Sequence, residues 1–281
     1  MYTPDKAVTN TANGAKTIHR MRTINDFAES LQWAQKNNRM ASAVSGSSRF
    51  TGTDSAAEYE DMMRNGYAHG VKGVEGLEGL STDASDKIQF ERSVGGAFPI
   101  VPAFLHGAPD AMLMPVAKPA EAVRGLTLVI DGAFHAGIKS WEVAEYAKSV
   151  MRLLAWLAAE GVETAVYSVI AMRHNGDRVI WTTPIREAGG VMQPERIAAI
   201  CHPSFLRRAW FSLVEREHIE FKLPLSNMCK DCYGYPSEAT VAELQQVLPE
   251  AYSVILLPKP GSGDPDKAVR EAYTLKLKQG A

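Results

Sequence analysis

The feature that most constrains the fold is a pair of β-rich runs, residues 164–172 and 178–185, set on either side of His174-Asn175-Gly176-Asp177. Asn-Gly between two strand-forming runs predicts a tight β-hairpin, because both residues adopt left-handed backbone conformations with little strain. The surrounding pattern says what sheet the hairpin joins. Upstream, residues 126–130 are a short apolar run, and residues 140–160 carry apolar positions at helical spacing and end before Gly161. Downstream, the pattern predicts a helix at 194–201, a strand at 209–214, a helix at 237–247, a strand at 252–257 and a last helix from Asp264 or Asp266 to Lys278. Alternation of this kind implies a mostly parallel sheet covered on both faces, with the hairpin supplying one antiparallel strand at an edge and residues 126–130 at the centre.

The first third of the chain reads differently. Residues 1–15 are polar and aperiodic and are expected to be a mobile arm. Residues 16–118 then form a mainly helical, irregular region packed on the domain at 119–281. Asn25 or Asp26 caps a helix carrying Phe27, Leu31 and Ala34. Residues 42–53 make a small-residue loop, and Asp54 or Ser55 starts a helix that ends at Asn65 before Gly66. Pro99, Pro102 and Pro109 forbid a long helix across 98–114 and predict an extended connector.

Composition narrows the function classes. Thirty basic against 32 acidic residues leave a net charge of -2, so the chain as a whole does not attract polyanions, and any nucleic-acid site must be a local patch. No apolar run is long enough to span a bilayer, no secretory pattern opens the sequence, and three cysteines suit a reducing compartment; a cytoplasmic protein with no membrane partner is expected.

A first strand ending in Asp131, a long helix, a hairpin and further helix and strand units resemble, from about residue 123 to 281, a von Willebrand A domain of Rossmann type. The metal site of that family takes a strand-end Asp-x-Ser-x-Ser, a Thr after a Gly-Gly turn and an Asp at a later strand end. Here the first motif is Asp131-Gly132-Ala133-Phe134-His135, Val191 follows Gly189-Gly190, and Glu215-Arg216-Glu217 is taken for the later strand end. Ala133, His135 and Val191 remove the hydroxyl oxygens that magnesium needs, so the resemblance implies a metal-dead, non-catalytic domain with no cofactor. Phe50-Thr51-Gly52-Thr53, Asn65-Gly66-Tyr67 and the stretch from Pro102 to Pro109 add a similarity to bacteriophage proteins that join such a region to a degenerate A-like domain. That similarity implies a phage accessory factor that binds single-stranded DNA and recruits a polymerase.

Residue types supply the competing chemistries. Lys16, His19, Arg20 and Arg22, and Arg207-Arg208 with Trp210, combine cations for phosphates with an aromatic ring for unpaired bases. The arginines are expected to be exposed, so that replacing them weakens oligonucleotide binding with little effect on melting, while at least one of Trp210 and Phe211 must face the core of the predicted strand, and scattered solvated charges with a core aromatic are the competing reading. Cys229-Lys230-Asp231-Cys232 is half a zinc site that Cys201 and His202 or His218 would complete, against a bland reading as reduced loop cysteines. His135 beside Asp131 offers a general base without a nucleophile, which ranks a metal-dependent hydrolase behind an accessory binding protein and a protein scaffold.

Overall fold

A computed structural model describes residues 6–9, 16–37, 48–74, 89–94, 98–116, 125–132, 137–174, 177–187, 193–221, 238–248, 253–264, 267 and 269–271. The chain divides into two compact units, residues 1–81 with 125–281, and residues 82–124. The expected boundary at 118/119 is therefore replaced by an insertion: residues up to 81 belong with the large sheet.

That sheet has six strands in the order β1-β2-β8-β7-β6-β9. They are β1 (Lys6–Thr9), β2 (Lys16–Met21), β6 (Gly125–Asp131), β7 (Glu163–His174), β8 (Asp177–Arg186) and β9 (Ser253–Leu256). Pairs β2/β8, β7/β6 and β6/β9 are parallel, while β1/β2 and the hairpin β7/β8 are antiparallel. The α/β architecture with a mostly parallel sheet and one antiparallel hairpin strand is thus the one read from the pattern. Two details differ. The hairpin strand is not an edge, because β2 pairs with it in parallel from Thr17↔Arg178 to Met21↔Thr182, and β6 is flanked by the real edge strand β9. Part of the expected mobile arm, Lys6–Thr9, is the opposite edge strand. Pro184 lies beyond the rungs that β2 makes, so its missing N–H interrupts no bond to that neighbour.

Side chains alternate between the two faces as period 2 demands. Ile170, Met172, Val179 and Trp181 face one cluster, which α1 (Ile24–Lys36), α3 (Ala56–Asn65) and the segment 205–214 complete. Their neighbours Val169, Ala171 and Ile180 face the other side, under α9 (Val241–Val247). The short helices α2 (Ser48–Thr51) and α4 (Ala68–Val71) flank α3. The long helix α6 (Ser140–Ala159) buries Val150, Met151, Leu153, Leu154 and Leu157 against β6. Each such side chain contributes roughly 1.5–3 kcal/mol by leaving water. Helix ends follow local chemistry. Thr23, not Asn25 or Asp26, caps α1, with Asp26 closing the capping box, and Ser55 caps α3 as expected.

One predicted strand is a helix. Residues 209–214 fall in a π-helical segment, Phe205–Trp210, that runs into α8 (Phe211–Phe221), and residues 205–215 are buried all along. A short, mostly apolar run cannot be assigned by period alone, and burial on all sides, Ser212 included, removed the exposed polar face that would have marked a helix. The helix at 194–201 is present as α7 (Pro194–Ile200), while most of the expected C-terminal helix lies outside the described residues.

Residues 82–124 hold a three-stranded antiparallel sheet ordered β3 (Gln89–Ser93), β5 (Met112–Val116), β4 (Phe98–Pro99), with a single-turn helix α5 (Val101–Leu105) in place of a fully extended connector. Val94, Val101, Phe104 and Leu105 in this unit are exposed.

Candidate functional site

β7, β6 and β9 run parallel, with β7 and β9 on opposite sides of β6, so the sheet order reverses at the carboxyl end of β6. Open α/β sheets place ligands at such a point. Asp131 ends β6 there and is 2 % exposed. The partner facing it comes from just past β9, where Pro258-Lys259-Pro260 brackets a lysine. Lys259 Nζ lies 3.7 Å from Asp131 Oδ2 and 2.8 Å from Glu238 Oε1. An ammonium group beside the carboxylate offsets its charge and repels a second cation. The cavity beneath has a volume of about 10 Å³, too small for a substrate.

Glu215-Arg216-Glu217 is therefore not the later strand end. Glu217 is on α8, buried far from that role, and its carboxylate is the hub of an ion-pair cluster. Arg20 Nη1 donates to Glu217 Oε2 at 3.1 Å, Trp181 Nε1 donates to the same oxygen at 2.8 Å, and Arg22 Nε donates to Oε1. Arg22 also donates to the Met21 carbonyl at 2.8 Å, and His19 pairs with Thr182 Oγ1 at 2.8 Å. His19, Arg20 and Arg22 are all less than 9 % exposed, so the basic segment is a strand tied into the core and not a phosphate-binding surface. Lys16 belongs to β2, and its side chain is outside the described set.

Arg207 and Arg208 are likewise internal, at 1 % and 0 % exposure, and Trp210 is fully buried. They hold the Phe50-Thr51-Gly52-Thr53 segment in place. Arg207 donates to the carbonyls of Phe50 and Ile138, with its guanidinium 4.3 Å from the Phe50 ring centre. Burial pushes Arg207 down to about 10, which leaves it charged at neutral pH. Arg208 reaches Thr53 Oγ1, Thr51 Oγ1 and the Thr53 carbonyl at 2.8, 2.9 and 2.8 Å. Ser204 Oγ closes the network onto the Thr51 carbonyl at 2.6 Å. The short motifs of this half of the chain thus have packing reasons. Gly52 has φ +84°, and a Cβ there would sit 2.8 Å from His202 Cε1; Gly66 has φ +90° and would place a Cβ 2.6 Å from that of Glu195.

His202 sits in this network, stacked on Tyr59 at 5.8 Å and edge-on to Tyr67 at 4.9 Å between ring centres. Its Nδ1 accepts the Ser204 N–H at 3.2 Å, a bond that requires an unprotonated Nδ1. Burial, then the nearby Arg208 charge, lower its pKa to about 4. The folded protein therefore resists a proton that the unfolded chain accepts below about 6.5, so stability is complete above that pH and declines as pH falls toward 4. The full effect is about 3 kcal/mol. Melting temperature measured from pH 7 to 4 is expected to fall, and His202→Gln is expected to flatten that slope; an unchanged slope would rule out His202 as the source.

The remaining candidates separate. Ala133, His135, Val191, Cys229 and Cys232 lie outside the described residues. Cys201 is buried and its thiol is pushed up to about 12 by burial, which keeps it protonated and disfavours it as a zinc ligand. His218 is on α8, half-buried. Among the described residues no three His, Cys, Asp or Glu side chains are grouped to hold a metal, and no helix is long and apolar enough to cross a membrane. Lys259, Glu217 as an ion-pair hub and His202 as a buried base were not singled out from sequence; only the proline bracket around Lys259 carried a local signal.

A family profile described as "Domain of unknown function (DUF7192)" matches residues 7–277. No curated protein and no solved structure matches the chain.

Proposed function

We propose that this chain, which belongs to the DUF7192 family, is a non-catalytic accessory protein whose A-like sheet serves to hold and present surfaces to a protein partner. In the phage-type role implied by its sequence resemblance, that partner is a phage or host polymerase and the compartment is the host cytoplasm. The observation that carries the non-catalytic part is Lys259 facing Asp131 at 3.7 Å, where a metal-dependent domain would keep oxygen ligands and an accessible cation. Two further features favour a polypeptide over a nucleic acid. Arg20, Arg22, Arg207 and Arg208 are committed to internal partners, and the inserted unit exposes Val94, Val101, Phe104 and Leu105, four large apolar side chains, beside a single described exposed arginine, Arg92. Burying such side chains against a polypeptide is favourable, whereas phosphate recognition needs exposed cations.

The test combines three measurements on the full chain. Isothermal titration with magnesium is expected to show no tight binding; tight binding lost in Asp131→Ala would overturn the metal-free reading. Affinity capture from the native host is expected to retain a protein partner after nuclease treatment, with Phe104→Ser/Leu105→Ser reducing its yield at least roughly tenfold, a change of about 1.4 kcal/mol. Loss of the partner on nuclease treatment, together with salt-sensitive anisotropy changes of a labelled single strand, would instead put single-stranded nucleic acid first.

A further inference from the structure

The buried polar groups of the large unit with no hydrogen-bond partner among the described residues include the hydroxyls of Thr183 and Ser212 and three that lie together, the hydroxyls of Tyr146 and Ser168 and the indole N–H of Trp210. Their residues are 6 %, 1 % and 0 % exposed, a setting in which unmatched polar groups are rare. All three converge on the end of β6. Tyr146 and Ser168 line the same cavity as Asp131 and Gly132. A Cβ built on Gly132 would lie 3.4 Å from the Val169 carbonyl oxygen, 3.6 Å from Trp210 Nε1 and 3.9 Å from Ser168 Oγ. The side chain that Gly132 lacks thus leaves a space whose nearest neighbours are polar atoms.

We propose that this space is an internal binding site for one water molecule, which accepts the Trp210 indole hydrogen, bonds the Ser168 hydroxyl and lies in the cavity shared with Asp131. Size and chemistry select the occupant. A volume of about 10 Å³ matches a single water. An indole nitrogen only donates, which disfavours a metal ion beside it, and the Asp131 carboxylate disfavours an anion. Water both donates and accepts, so it alone matches donor and acceptor on the same wall. The end of β6 is then closed from within by a water and flanked by Lys259, a closure that rests on the packing around Gly132 and holds whatever partner the protein has.

The deciding variant is Gly132→Ala, because the two possibilities give opposite signs. The backbone torsion at Gly132 lies outside the left-handed region and the new methyl group would meet its neighbours at ordinary contact distances. In a dry space the substitution would raise the melting temperature, since alanine restricts the unfolded chain more than glycine does. With a resident water it displaces that water and strands the indole N–H, and the melting temperature is expected to fall by roughly 3–6 °C. In a Ser168→Ala background, where one of the water's partners is already gone, the drop is expected to shrink by at least half. A raised melting temperature, or strict additivity of the two substitutions, overturns the proposal. Should Gly132→Ala fail to fold, a high-resolution crystal structure of the wild-type chain decides: density for a water within about 3.2 Å of Trp210 Nε1 supports the site, and its absence ends it.

Discussion

Glu217→Ala is expected to lower the melting temperature by roughly 6–20 °C, the largest effect of any single substitution considered. The carboxylate is buried and receives Arg20, Arg22 and the Trp181 indole, so its removal takes away a charge that two guanidinium groups in the core share. Breaking a buried pair from one side destabilises by about 3–5 kcal/mol, whereas replacing all its members with apolar groups of similar size is often neutral. Two comparisons therefore accompany the measurement. Glu217→Gln, which keeps an acceptor without the charge, should fall between wild type and alanine, and Arg20→Met/Arg22→Met/Glu217→Leu should recover part of the loss. Thermal unfolding followed by circular dichroism reads all three. A shift of less than 2 °C for Glu217→Ala, about 1 kcal/mol or less, would mean that the cluster does not hold β2 to the sheet.

Arg208→Ala comes second, with an expected loss of about 3 kcal/mol, or roughly 6–12 °C. Its guanidinium supplies three hydrogen bonds to Thr51 and Thr53, and alanine would leave those acceptors facing a cavity in a fully buried place. This reverses the expectation that Arg207 and Arg208 are exposed and can be removed at little expense in stability. Arg208→Lys is expected to recover little, since one ammonium cannot reproduce the planar fork that spans two threonines. Oligonucleotide anisotropy at equal folded fraction separates the roles: a specific loss of binding at unchanged melting temperature would restore a surface function for this arginine.

These two substitutions also mark where local sequence stops being informative. The hairpin was legible because Asn175-Gly176 is a turn signal between two strand-forming runs, and the structure pairs His174 with Asp177 on either side of it; the helix at α6 was legible because its apolar period runs for 20 residues. Ser55 and Gly66 announced the limits of α3 through capping chemistry that is entirely local. Arg207-Arg208 read as a surface patch because arginine is seldom fully buried, and the acceptors that make burial tolerable arrive from segments 155 and 157 residues away. Glu217 reads as a strand-end ligand only if its run ends a strand, and its partners, Arg20 on β2 and Arg22 just past it, stand 197 and 195 residues earlier. At the carboxyl end of β6 Asp131 was legible as a strand-end carboxylate, while the lysine that answers its charge follows a different strand and becomes adjacent only through the β6/β9 pairing.

The pairing of β2 with β8 also sets an order of events during synthesis. His19 bonds Thr182, 163 residues downstream, and Arg20 and Arg22 wait longer still for Glu217. At ordinary translation rates the ribosome takes on the order of ten seconds to make that much chain, during which β2 has β1 on one side and no native neighbour on the other. Long-range parallel pairing is slow to form and leaves an open strand edge while it waits. The growing chain therefore passes through an interval in which the β8-facing side of β2 is available to the wrong partner, and high-level expression should be limited more by chaperone capacity and temperature in that interval than by the stability of the finished fold.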